Sequence, residues 1–252
     1  MAKEAERAAR GSVWLAEPVR RGGRGGQPSG LDRERITAVS VRLLDAEGLA
    51  RFSMRRLAAE LNVTAMSLYW YVDTKDDLLE LALDAVYGEP VLPDPADESQ
   101  DWREQLRALA DEYRAMLVRH PWVSALAGRY LNIGPTSLAF SRTVQRVVRR
   151  TGLPAHRLTG AIAAVFQFVY GFGTIEVHFM SRIADTGLSP DDYYRRTMDS
   201  VRQGALGADY IEESRDIVDA RAGDSVAEML ERDFTFALDL LIAGIEAMVA
   251  RD

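Results

Sequence analysis

The residue types and spacing that most suggest chemistry lie between Ser53 and Lys75, in the stretch SMRRLAAELNVTAMSLYWYVDTK. Apolar residues recur there at helical spacing on both sides of Asn62, a residue type that tolerates the left-handed backbone of a sharp turn. Thr64 is of a helix-capping type, and small, polar and aromatic side chains follow it. Two short helices joined in this way form a helix-turn-helix, whose second helix can enter the major groove of DNA.

Charge is distributed unevenly along the chain. Residues 20–63 contain nine arginines and five acidic residues, whereas the residues beyond 88 contain 18 basic and 25 acidic residues. The whole chain carries a formal charge of −7. A basic end followed by an acidic remainder is expected if only one end of the protein meets phosphate. The alternative is surface charge that divides this way by chance.

Four short helices are predicted to position these residues. Capping residue types stand at Asp32, Ser53, Thr64 and Thr74, each just before an apolar pattern of helical period. Asp77 follows Thr74 in a capping-box relation. The four helices would form a compact, all-helical unit.

Residues 31–88 resemble the DNA-binding domain of the TetR family of bacterial transcriptional repressors. The segment Ser67–Leu79, SLYWYVDTKDDLL, is similar to the recognition-helix signature of the family, with the LYW core at 68–70 and a lysine at Lys75. The resemblance implies an all-α fold with an N-terminal three-helix helix-turn-helix domain and a larger C-terminal helical domain for ligand binding and dimerisation. It also implies a homodimer that binds a palindromic operator in double-stranded DNA and is released by a small-molecule effector.

Roles at DNA are carried over from the family residue by residue. The residues at positions that meet bases or adjacent phosphates are Arg55, Ala65, Met66, Ser67 and Tyr71. The residues at positions that meet the phosphate backbone are Tyr69, Trp70 and Lys75, and Thr64 completes the set at the start of the helix. Because Ala65 and Met66 offer only apolar contact, Ser67 and Arg55 are the expected polar readers of base edges. Aromatic packing inside the domain is the alternative for the three aromatic residues.

The N-terminal residues 1–30 are predicted to be a flexible basic arm. The segment RRGGRGGQPSG at 20–30 has much glycine and little apolar surface to offset the entropy of ordering it. Such an arm can follow the DNA backbone or reach into the minor groove, or it can be a solvated linker. Residues 12–16, SVWLA, form a small apolar island, and the sequence does not say where it packs.

Residues 101–252 are expected to form a helical regulatory and dimerisation domain, after a proline-interrupted linker at 89–100. The chain is apolar almost all round from 154 to 184, and a capped amphipathic helix is predicted from 225 to 250. These two helices are predicted to form the homodimer interface. The first has the length of a membrane span, but polar and charged residues interrupt it, so no membrane partner is expected.

Aromatic, flexible and polar side chains on neighbouring predicted helices are candidates for an effector pocket. They are Met116, Trp122, Leu126, Tyr130, Phe140, Val144, Phe166, Gln167, Tyr170 and Glu176. Polar groups in an apolar helix need partners, which makes Gln167, Tyr170 and Glu176 the most informative. If they face a cavity, a planar hydrophobic ligand with hydrogen-bonding oxygens is expected. Core packing is the alternative for each member.

Residue types for catalysis are scarce. The chain has no cysteine and three histidines, and it contains no H-E-x-x-H, phosphate-loop or nucleophile-elbow motif. We therefore predict a cytoplasmic transcriptional repressor that is not an enzyme and uses no metal or cofactor. The competing hypothesis is a helical DNA-binding regulator that is controlled by a protein partner and has no small-molecule pocket.

Overall fold

The computed structural model describes residues 12–15, 31–97, 99–221 and 223–251. Within these ranges the regular structure is helical, with no strand, which confirms the all-α prediction. The predicted arm at 1–30 lies outside the described residues except at 12–15. In chain order the helices are α1 Arg33–Glu47, α2 Met54–Glu60, α3 Ala65–Leu68, α4 Lys75–Val86, α5 Trp102–Arg119, α6 Val123–Leu126, α7 Pro135–Arg149, α8 Ala155–Ala184, α9 Pro190–Gln203, α10 Ala205–Glu213, α11 Arg215–Ala220 and α12 Val226–Val249.

The described residues fall into two compact units that divide between Tyr170 and Gly171. The division lies within α8, so α1 to α7 and the first part of α8 belong to the first unit. The remainder of α8 and α9 to α12 belong to the second unit. The domain limits at 31–88, 89–100 and 101–252 stay predictions.

Side-chain caps fix where the first four helices begin. Asp32, Ser53, Thr64 and Thr74 each accept a hydrogen bond from the backbone N–H three residues further on. These bonds satisfy amides that have no partner within the helix. Asn62 makes the turn between α2 and α3 with φ of 55°, the left-handed conformation predicted for it. Local chemistry therefore defines residues 31–88, the helix-turn-helix region.

A small apolar core holds this region together. Six of its largest side chains have relative exposures of 2% or less: Ile36, Leu44, Leu57, Leu68, Leu78 and Leu79. Each contributes about 1.5–3 kcal/mol relative to an exposed position. α1 packs on α4, α2 packs on the recognition helix α3, and α1 also packs on α2, so α3 is joined to the rest of the region through α2.

The rest of the first unit is built on the pairing of α5 with α7, while α4 also packs on α7. Leu106, Leu109, Met116 and Leu117 of α5 are fully buried. α5 ends at Arg119, before His120 and Pro121, where the proline ring excludes a helical conformation for the residue that precedes it.

In the second unit, residues 190–220 contain the three helices α9, α10 and α11. α12 begins with the predicted capping box between Ser225 and Glu228. Phe172 and Phe234 pack edge to face with ring centroids 5.2 Å apart. In the described part of the chain α8 is the one helix that by length and composition could cross a membrane, and core helices of soluble proteins meet the same criteria.

Candidate DNA interface and effector region

The recognition helix α3 and the two residues that follow it expose three of the side chains that were predicted to meet DNA. Met66 is 70% exposed, Trp70 is 50% exposed and Tyr69 is 37% exposed. Only Leu68 of α3 is buried, and it anchors the helix to the core. Exposed large apolar side chains that lie together mark a surface that a partner can cover, so this surface is a candidate contact site.

Polar groups at the start of α3 form a local pair. The hydroxyl oxygens of Thr64 and Ser67 lie 2.9 Å apart, and the Ser67 backbone N–H donates to Thr64 over 3.2 Å. The Ser67 hydroxyl is thereby held beside the helix start, where free amides and the helix dipole favour contact with anions. Ala65 lies beside this pair and is half-buried.

The two adjacent arginines of α2 have different surroundings. Arg56 donates to Glu47 over 2.8 Å and to Glu60 over 2.9 Å, and these hydrogen bonds raise the pKa of its guanidinium. Arg55 is exposed on the surface. The guanidinium of Arg56 is therefore occupied by carboxylates, which favours Arg55 as the residue that meets DNA.

Tyr71 and Lys75 have contacts inside the protein. The Tyr71 hydroxyl donates to the backbone oxygen of Leu31 over 2.7 Å, which ties the end of the recognition segment to the start of α1. At the start of α4, the Lys75 ammonium lies 5.6 Å from the ring centroid of Phe52, the residue before the cap of α2. Both side chains are half-buried, so they are held in place beside α3 before DNA arrives.

An aromatic cluster stands at the centre of the first unit. Tyr113 of α5 lies 5.6 Å from Phe140, 5.8 Å from Phe166 and 6.2 Å from Tyr87 by ring centroids. These distances are those of direct aromatic packing. Burial raises the pKa of the Tyr113 hydroxyl well above its ordinary value, and it also raises the pKa of the Tyr87 hydroxyl.

The other predicted effector residues have varied positions. Those that are buried are Met116, Trp122, Leu126 and Val144, and those that are half-buried are Tyr130, Tyr170 and Glu176. Gln167 is exposed. The Tyr170 hydroxyl donates to the backbone oxygen of Ser124 over 2.6 Å. The structure thus brings Phe140 and Phe166 together, whereas Glu176 belongs to the second unit.

One carboxylate of the helix-turn-helix region caps a helix outside it. Asp84 of α4 is 5% exposed and accepts from the backbone N–H of Ser137 over 2.9 Å and from that of Thr136 over 3.4 Å. Gly134 allows this approach, because a Cβ there would lie 2.2 Å from the Asp84 carboxylate. The start of α7 is therefore hydrogen-bonded directly to α4.

A second polar contact joins α1 to the end of α5. The indole N–H of Trp122 donates to Asp45 over 2.7 Å, and Nδ1 of His120 lies 2.7 Å from the same carboxylate oxygen. Nε2 of His120 lies 2.9 Å from Glu89, which also accepts from Arg119 over 2.7 Å. Although burial opposes them, the hydrogen bonds from His120 and Arg119 lower the pKa of Glu89.

Several of these polar residues were missed by reasoning from the sequence, namely Asp45, Glu80, Asp84 and Glu89. Glu80 and Asp84 lie in α4 among residues that are almost all buried. A carboxylate in such an apolar helix needs a partner, and that signal alone marks both positions. Their partners are distant in sequence and could not be named from it.

Two open clefts lie in the second unit. Their volumes are about 510 and 450 Å³, and charged residues of α9, α11 and the start of α12 line them. None of the predicted effector residues lines either cleft.

A short exposed helix after a tight turn, supported by helices that are hydrogen-bonded to a larger helical body, defines a helix-turn-helix DNA-binding regulator. Comparison with known proteins agrees. Residues 36–82 match the family model of bacterial regulatory proteins of the tetR family, and residues 94–249 match the Tetracyclin repressor-like C-terminal domain. The chain therefore belongs to the TetR family of transcriptional regulators, which are not enzymes.

Individual relatives point the same way. An HTH-type transcriptional regulator of Saccharopolyspora erythraea is 42% identical over 141 residues, which is 56% of this chain and 59% of that protein. The HTH-type transcriptional repressor DrrR1 of Streptomyces coeruleorubidus is 31% identical over 94% of this chain and 85% of its own length. Apo ActR of Streptomyces coelicolor is 25% identical, with a TM-score of 0.68 over 89% of this chain and 99% of its own, and ActR is also known in complex with (S)-DNPA.

Proposed function

We propose that this chain is a dimeric, cytoplasmic repressor that leaves a palindromic operator when a planar aromatic molecule binds its first unit. The observation that carries the proposal is the direct hydrogen bonding of the helix-turn-helix region to the helices around the aromatic cluster. Asp84 joins α4 to α7, and Asp45 joins α1 to Trp122. Movement of α5 or α7 on ligand binding therefore acts on α1 and α4, and α1 packs on α2, which in turn packs on α3.

The DNA-contacting surface follows from exposure and chemistry. Tyr69, Trp70 and Lys75 are proposed to contact phosphates, while Arg55 and Ser67 meet base edges. Met66, at 70% exposure, is proposed to contact a thymine methyl group. Tyr71 is proposed to act beside them, although its hydroxyl donates to Leu31 in the protein without DNA.

The homodimer is proposed to form through α12 and the part of α8 in the second unit. Ile175 on α8 is 71% exposed, and Phe236 and Leu240 on α12 are 64% and 58% exposed. A stripe of this kind on long helices is suited to a four-helix interface with a second copy. Two copies would place two recognition helices in successive major grooves, about 34–36 Å apart.

The effector is proposed to part the rings of Tyr113, Phe140 and Phe166 and to stack between them. Aromatic walls with a few hydroxyls suit a planar ligand that carries oxygen atoms. ActR, which is similar over 87% of this chain, is known in complex with the small molecule (S)-DNPA, and this supports a small-molecule effector. The hydroxyls of Tyr113 and Tyr87 would act as hydrogen-bond donors to it.

The test is a fluorescence anisotropy titration of the full-length protein on a duplex that it selects from a random library. With (S)-DNPA as the probe, we expect operator affinity to fall by about 5-fold to 150-fold, the usual range of coupling between sites. Phe166→Ala is expected to abolish that response and to preserve DNA binding without ligand. If (S)-DNPA binds and operator affinity does not change, the proposed coupling is wrong. If only a protein from the host releases the DNA, the partner-controlled alternative replaces the proposal.

A further inference from the structure

Two carboxylates on one face of α4 receive hydrogen bonds from outside the helix-turn-helix core. Glu80 and Asp84 are one helical turn apart, and they are 4% and 5% exposed. The Asp84 carboxylate accepts from the backbone N–H of Ser137 at the start of α7. Within the described residues, the hydrogen bonds to the Glu80 carboxylate come from the N-terminal segment at 12–15.

This segment is folded tightly against α4. The Ser12 hydroxyl donates to one oxygen of Glu80, and the Val13 backbone N–H donates to the other over 2.8 Å. The Trp14 backbone N–H donates to the Ser12 hydroxyl oxygen over 3.2 Å, and the Leu15 backbone N–H donates to the Ser12 backbone oxygen over 3.3 Å. Both oxygens of a buried carboxylate are thus bound by one short turn.

The same turn also reaches α1. The Arg33 guanidinium lies 5.8 Å from the ring centroid of Trp14. Residues 12–15 therefore contact both α1 and α4, which pack on each other in the helix-turn-helix region. The backbone oxygen of Leu31, the residue before the cap of α1, accepts from Tyr71 at the end of the recognition segment.

We propose that residues 12–15 are a strap that completes the helix-turn-helix region, with Glu80 as its receptor, and that DNA affinity depends on it. Without the strap, the Glu80 carboxylate loses both of these hydrogen bonds. That loss is unfavourable until water replaces the two donors, and in this proposal α4 shifts toward solvent to admit it. Because α3 is joined to α4 through Thr74, that movement displaces the recognition helix.

The test compares two N-terminal deletions of the full chain. Removal of residues 2–15 takes the strap away, and removal of residues 2–11 leaves it in place. The first is expected to lower the thermal unfolding midpoint by about 5–10 °C. We also expect it to weaken binding to the duplex selected by the wild-type protein by about tenfold, which corresponds to 1.4 kcal/mol. The second deletion is expected to leave both quantities unchanged.

A double-mutant cycle with Glu80→Met identifies the receptor. In the Glu80→Met background, loss of residues 2–15 is expected to cost less than a third of what it costs in the wild type, because no carboxylate then loses its hydrogen-bond donors. If the deletion of residues 2–15 costs the same in both backgrounds, Glu80 is not the receptor. If the deletion has no cost in either background, residues 12–15 are not a strap. A lower midpoint with unchanged DNA affinity overturns the link to DNA binding.

A milder pair of variants keeps the test informative if the deletion protein does not fold. Ser12→Ala removes one hydrogen bond to Glu80 and is expected to lower the thermal unfolding midpoint by about 2–4 °C. DNA binding is expected to weaken in proportion. Leu15→Ala is the matched control, since Leu15 is 61% exposed and its side chain does not contact Glu80 in the bonds described above. Equal effects of the two variants contradict the proposal.

Discussion

The helix-turn-helix region and the second compact unit both expose large apolar side chains, but on different kinds of helix. In residues 31–88 the exposed Met66 lies on a short helix that is fixed by a turn and a cap. In residues 171–251 the exposed Ile175 and Phe236 lie on long helices. A short positioned helix is suited to a groove of DNA, whereas a long apolar stripe is suited to a second copy of the same helix. The meaning of an exposed apolar residue therefore depends on the element that carries it.

The largest effect is expected from breaking the stripe on α12. Phe236→Glu places a charge at a position where we propose two subunits meet, so the protein should become monomeric. Operator affinity should then fall by about 100-fold or more, because two linked half-site contacts become one. Sedimentation velocity and anisotropy measure the two outcomes. Thr235→Glu, on an exposed polar side of α12, is the control, and a dimeric Phe236→Glu protein contradicts the proposed interface.

A smaller but still large effect is expected where α4 meets α7. Asp84→Ala leaves the buried backbone N–H of Ser137 and the half-buried one of Thr136 without this acceptor, and it should lower the free energy of unfolding by about 2 kcal/mol. It should also weaken the response of DNA binding to ligand. Urea denaturation and the anisotropy titration measure these quantities. Ser189→Ala removes the exposed cap of α9 and serves as the control for loss of a cap alone; an equally weakened ligand response in that variant would show that Asp84 carries no special coupling.

The recognition surface allows a sharper test of the division between phosphate and base contacts. Tyr69→Ala and Lys75→Ala should weaken binding to all sequences alike, with a reduced salt dependence. Arg55→Ala and Ser67→Ala should instead change sequence preference, each at a cost of about 1–3 kcal/mol on the selected duplex. Binding to a library of single-base variants separates the two patterns. Uniform losses from all four substitutions contradict the division.

The smallest effect concerns pH. Hydrogen bonds from His120 and Arg119 lower the pKa of Glu89 in the folded protein, so its ionised form adds stability above pH 4.5, the ordinary value of a glutamate. That stability is lost as the pH falls through the lowered pKa. The contribution should be under about 1 kcal/mol, because the side chain is 36% exposed and solvent screens it. Glu89→Gln should flatten this part of the stability curve, measured by urea denaturation between pH 3 and 6. An unchanged curve argues against the contact.

The parts of the fold that the sequence predicted are those that local chemistry determines. The caps at Asp32, Ser53 and Thr74 are confirmed, as is the left-handed turn at Asn62. Each of these features needs only a few consecutive residues, because a cap accepts from an amide three positions away. The recognition helix could be located for the same reason.

The contacts that join regions could not be predicted, because their partners are far apart in the sequence. Asp45 and His120 are 75 residues apart, and Glu80 and Ser12 are 68 residues apart. The sequence indicates that a buried carboxylate needs a donor and leaves many donors to choose from. The effector residues were ambiguous for a related reason, since Tyr113, Phe140 and Phe166 have the composition of both a pocket and a core.

The central claim is that two copies of residues 31–88 read one palindromic duplex. Its most direct test is a hydroxyl-radical footprint of the full-length protein on the duplex it selects, together with the stoichiometry of the complex in solution. We expect two subunits per site and two protected regions centred about 34–36 Å apart on one face of the DNA. Lys75→Ala should weaken both regions equally. A single protected region with one subunit bound, or selection of no common sequence, would contradict the account.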